Sequence, residues 1–79
     1  MFKMKWHDPV EVDLSQGSQL VQGPVEALVF LLDAWPDRRG PRYVAARSFC
    51  RAAISGRKSA EEARQMFIEA AQEAQITAH

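Results

Sequence analysis

Three side chains in this sequence could serve a soft metal ion: His7, Cys50 and His79. They are scattered along the chain with no CxxC and no HxxxH, whereas structural metal sites gather ligands at short local spacings. The expectation is therefore a surface histidine, a core cysteine, a tail histidine and no metal. Cys50 has Arg47 and Arg51 near it in sequence, and a neighbouring cation can lower a thiol pKa and make a nucleophile. It also falls on the apolar stripe Tyr43, Ala46, Cys50, Ala53, and an apolar surround raises the thiol pKa and leaves the sulfur inert. Two carboxylate pairs, Glu61-Glu62 and Glu69/Glu73, complete the candidates. The first sits where a helix opens and complements its dipole; the second reads as an exposed i, i+4 pair. Acid–base catalysis needs burial and a shifted pKa, which nothing in the pattern supplies. No glycine-rich phosphate loop is present. The chain is expected not to be an enzyme, and no catalytic, cofactor-binding or metal-binding residue is assigned.

The layout of charge rises above this background. Ten Lys and Arg balance ten Asp and Glu, so the net charge is zero. Residues 1–37 carry two cations against six acids, a net of −4. Residues 38–58 carry seven cations and no acid, and residues 59–79 return to −3. Arg38, Arg39, Arg42, Arg47 and Arg51 could therefore form a patch for phosphates or for an acidic protein. Alternatively they pair with acids of the flanking elements, within one chain or across a dimer. A nucleic-acid binder is usually basic overall, and the pI here is about 6.7. Nucleic-acid or anion binding through 38–58 stands as the alternative and is not favoured.

The elements that must position these groups are legible from apolar periodicity. Phe2, Met4, Trp6, Val10, Val12 and Leu14 all fall on even positions, with Lys3, Lys5, Glu11 and Asp13 between them. A period of two is a strand with one buried face. Pro9 interrupts the ladder, so Pro9–Leu14 is the firm strand and Phe2–Trp6 an irregular lead-in. Ser15-Gln16-Gly17 suits a hairpin loop, and Ser18–Gln22 a return strand with Leu20 pointing inward.

Pro24–Trp35 predicts a helix opened by proline and stopped by Pro36, apolar nearly all round, with Leu28, Phe30, Leu31 and Trp35 in the core. Only Glu26 and Asp33 wet it. A second helix spans about Pro41–Ser55, with Gly56 as its left-handed cap. Ser59-Ala60-Glu61-Glu62 is a capping box that opens a third helix with Ala63, Met66, Phe67, Ala70, Ala71 and Ala74 on one stripe. Ile76 and Thr77 suit a short third strand. The order predicts one α+β domain over residues 1–79: an N-terminal β-hairpin, with a short C-terminal strand, packed against three helices.

The succession Trp35-Pro36, Gly40-Pro41, Cys50 in a helix ended by Gly56, and Glu62-Ala63-Arg64 with Phe67 resembles a family of short uncharacterised bacterial proteins, the domain of unknown function 982 family. The resemblance runs from about Pro9 to Ile76. It implies a small cytoplasmic domain and brings no activity, cofactor or catalytic residue with it.

Seventy-nine residues include 37 hydrophobic ones, but 12 of those are alanine, so only 25 larger side chains carry most of the burial. Chains this short bury a small share of their surface, and lone Cys50 offers no internal disulfide. No apolar run is long enough to cross a bilayer, and Met1–Trp6 lacks a signal-peptide stretch. The expected function is a small cytoplasmic, non-catalytic protein-interaction or regulatory module that self-associates as a homodimer and binds a further, unknown protein. No cofactor and no membrane are expected.

Overall fold

The computed structural model describes residues 5–14, 17–36 and 39–78. Phe2 and Met4 of the expected lead-in strand, the loop residues Ser15 and Gln16, Arg38 and His79 lie outside them. The elements are β1 (Val10–Leu14), β2 (Gly17–Val21), α1 (Pro24–Asp33), α2 (Pro41–Ile54), α3 (Ala60–Glu73) and β3 (Thr77–Ala78). This is the expected α+β fold: an antiparallel hairpin, a short third strand and three helices. Strand order is β2-β1-β3, and both pairings are antiparallel.

Period-two patterning does its work in β1. Val10 and Val12 are fully buried while Glu11 and Asp13 are exposed. The return strand corrects the sequence reading: Val21, not Leu20, points inward. Pairing sets Val10 opposite Val21 and Glu11 opposite Leu20, and directly opposed residues share a face. Leu20 is therefore carried to the same outer face as Glu11 and is 51% exposed.

Pro24 opens α1 and Glu26 caps the entry, its Oε1 accepting the Gln22 N–H at 2.8 Å. The helix ends at Asp33, two residues before the sequence reading had it, and Trp35 reaches the core from the following extended segment. Ala27, Phe30 and Leu31 form the buried face. Phe30, Leu31 and Trp35 are buried as expected, whereas Leu28 lies at the edge of that face and is only partly buried. The nearly all-apolar sequence leaves Val25, Val29 and Leu32 about half exposed along one outer ridge.

Alanines let α2 and α3 approach closely: Ala46, Ala53, Ala63, Ala70 and Ala71 are all fully buried. Gly56, at φ 84°, ends α2 as read, with the Arg57 N–H returning to the Ala52 carbonyl. The capping box of α3 is formed in both directions between Ser59 and Glu62. Accepting the Ser59 backbone N–H, with help from its hydroxyl, holds the Glu62 carboxyl below its usual pKa.

An aromatic cluster joins the layers. Phe67 of α3 lies 5.7–6.2 Å, centroid to centroid, from Trp6, Phe30 and Trp35. The Trp6 indole donates to the Ala60 carbonyl at 2.8 Å, and the Tyr43 hydroxyl donates to the Leu31 carbonyl at 2.8 Å.

Candidate functional site

The arginines of the basic segment are spread over two flanks of α2. Arg42 faces α3 and forms an ion pair with Glu69 at 3.1 Å, exposed enough to contribute little to stability. Arg39 and Arg47 instead gather at Tyr43, their guanidinium carbons 5.2 and 5.7 Å from the ring centroid. Arg39 also donates to the Trp35 carbonyl at 3.3 Å. Arg47 keeps a buried Nε with no hydrogen-bond acceptor. Arg51 is exposed in the last turn of α2, where a cation complements the helix dipole.

Glu69 and Glu73 correct the sequence reading, which made them an unengaged surface pair. Both face α2. Glu73 accepts the backbone N–H groups of Arg42 and Tyr43, each at 3.1 Å. The first residue before α2 is Gly40, which has no side chain to cap the helix, so α3 supplies the cap from 30 residues away. Close approach favours glycine there: a Cβ on Gly40 would lie 2.6 Å from Glu73 Oε2, so the capping carboxylate would have to move away. No local motif announces this contact, because cap and helix belong to different segments. Gly40→Ala and Glu73→Ala are each expected to cost about 1 kcal/mol, and the double variant barely more than either, because both break one cap. A denaturation double-mutant cycle measures this, and additive costs would dismiss the shared cap.

Cys50 is fully buried, and desolvation pushes its thiol up to about 12. The apolar stripe of α2 thus governs it, not the nearby arginines. The thiol is expected to react with Ellman-type reagents far more slowly in the native protein than after unfolding. A native rate equal to that of a free thiol would refute its burial.

A groove of about 480 Å³ lies between β2 and α1. Gln19, Leu20 and Gln22 form one wall; Val25, Glu26, Val29, Phe30 and Asp33 form the other. Gln19 and Leu20 are consecutive in a strand, so their side chains leave on opposite faces. Both border the groove, which therefore runs along the strand's open edge. It continues past Asp33 and Ala34 to an end lined by Leu14, Gly17, Ser18 and Trp35. Trp35 is 4% exposed and its indole Nε1 has no acceptor among the described residues. Half-exposed Leu20, Val25 and Val29 make the walls apolar, and Glu26 and Asp33 are the charged residues lining it. The sequence reading singled out the apolar helix but placed no residue in this groove.

Among the described residues no cluster of three or more His, Cys, Asp or Glu could hold a metal ion, and no helix is long and apolar enough to cross a membrane.

These features define a small α+β domain, a three-stranded antiparallel sheet carrying three helices, with a groove along one sheet edge. Residues 8–78 match the family described as protein of unknown function (DUF982), and the chain belongs to that family. Its fold is similar to the NMR structure of the Agrobacterium tumefaciens protein Atu1219, with 33% sequence identity and a TM-score of 0.78. The similarity covers 91% of this chain and 73% of that one. No curated protein matches the sequence.

Proposed function

We propose that the domain is a cytoplasmic, non-catalytic protein-interaction module that self-associates as a homodimer and also engages a further protein. One observation carries this reading: α1 presents Val25, Val29 and Leu32 at i, i+4 and i+7, each 44–52% exposed, although alanine-rich helices leave the core few large side chains. Apolar residues in such a row mark a contact surface, and a two-fold axis would bury the row twice. Equilibrium sedimentation at ~10 µM should show a species twice the chain mass, and Leu32→Glu should return it to monomer. A concentration-independent monomer of the native chain would reject dimerisation. Association through the ridge should survive when salt shortens the Debye length from ~10 Å to ~3 Å.

A second reading, anion or nucleic-acid binding, is favoured by one feature: the acceptor-less Nε of Arg47 beside Arg39 at the Tyr43 ring. Binding to a DNA oligonucleotide that weakens steeply with salt and disappears in Arg39→Ala would support it. Absence of binding at low salt would remove it.

A further inference from the structure

We infer that the groove between β2 and α1 receives a single extended, cationic segment of a partner protein, added as a strand to the open edge of β2. The inference rests on the interaction-module reading and not on self-association.

Residues of an antiparallel strand alternate in turning their peptide groups toward the neighbouring strand and away from it. Leu14 opposite Gly17 closes the hairpin, so Gly17, Gln19 and Val21 turn to β1 while Ser18 and Leu20 turn to the open edge. Gln22 adds nothing to that row, because both its peptide groups are taken: the N–H by Glu26 of α1 and the carbonyl by the Trp6 N–H, each at 2.8 Å. Ser18 and Leu20 thus offer a short ladder along the groove, on a strand whose residues include no charge and no proline to protect an edge from pairing.

The dimensions suit one strand. Five residues of β2 run roughly 17 Å at strand rise, and ten residues of α1 roughly 15 Å at helical rise, so the walls match in length. A second sheet edge is a poorer occupant than a lone segment, because α1 stands across the groove where that sheet's next strand would come. Of the ridge residues, Val25 and Val29 line the groove and Leu32 does not, so dimerisation and strand capture share part of α1 and are told apart by measuring each directly.

Chemistry of the lining sets the occupant. Leu20, Val25 and Val29 accept apolar side chains, which a strand delivers at alternate positions. Glu26 and Asp33 line the groove and no cation among the described residues does, which favours lysine or arginine in the incoming segment and disfavours acids.

Selection from a displayed library of random segments of about nine residues, against the full chain, tests this. Enriched sequences should alternate apolar residues, carry Lys or Arg, and lack proline and acids. A synthetic peptide of the winning sequence should slow hydrogen exchange of the Ser18 and Leu20 amides by roughly tenfold or more. Asp33→Lys should weaken it roughly tenfold, whereas Arg57→Ala, at an exposed residue that does not line the groove, should leave its affinity unchanged. No enrichment, enrichment of acidic or helix-forming sequences, or exchange protection confined to α2 and α3 would each overturn the inference. Sedimentation of the same preparations reports dimerisation independently, so either idea can fail alone.

Discussion

Phe67→Ala is expected to destabilise the domain by about 3–5 kcal/mol, the cost of truncating a buried aromatic to alanine. Phe67 is fully buried and touches rings from three other segments: Trp6 before β1, Phe30 on α1 and Trp35 after it. A cavity at this junction has aromatic walls held by separate elements, so no single shift can fill it. A loss of this size approaches the whole stability of a typical small domain, roughly 5 kcal/mol at the low end. Urea denaturation of the variant should show a collapsed midpoint or no folded baseline. A cost under about 1 kcal/mol would mean that the cluster is not the centre of the core.

Trp6→Ala should come second, at about 3–5 kcal/mol by the same reasoning, with Trp6→Phe near 1–2 kcal/mol. The two substitutions separate two roles. Alanine removes the ring that packs 5.9 Å from Phe67; phenylalanine keeps an aromatic ring and removes the 2.8 Å bond from the indole to the Ala60 carbonyl. Because Trp6 and Phe67 touch, the Trp6→Ala, Phe67→Ala double variant should lose less than the sum of the singles. A fragment-stabilised double variant, or hydrogen exchange where folding is marginal, gives the coupling. Additive losses would place the two rings in independent sub-cores. Trp6→Ala costing no more than Trp6→Phe would reduce the residue to its hydrogen bond.

Much of the fold was legible because it depends on neighbours along the chain. Val10 and Val12 alternate with Glu11 and Asp13, Pro24 and Pro41 open helices, Ser59 and Glu62 cap each other, and Gly56 terminates α2. Each is decided by backbone geometry within a few residues. Burial of Cys50 followed from its stripe on α2 in the same way.

Leu20 shows where that reasoning stops. Its strand has one large inward residue, and an isolated GSQLV cannot say which of Leu20 and Val21 faces the helices. Pairing against β1 decides it, since a shift of one residue turns every side chain to the other face. Glu73 shows the same limit at longer range. As one of two acids spaced four apart it looks like helix surface, and only the packing of α3 against α2 brings it to the free N–H groups of Arg42 and Tyr43.

The candidate site divides along this line. Sequence alone determined that α1 carries more apolar surface than it can bury and that acids flank a basic middle segment, because composition and helical period are local properties. Tertiary structure alone decided that Arg42 meets Glu69 while Arg39 and Arg47 meet at Tyr43, and that α1 stands off β2 to leave a groove. The physical reason is that a groove is a distance between two elements. That distance is set by what the aromatic cluster and the small alanines let pack elsewhere in the domain.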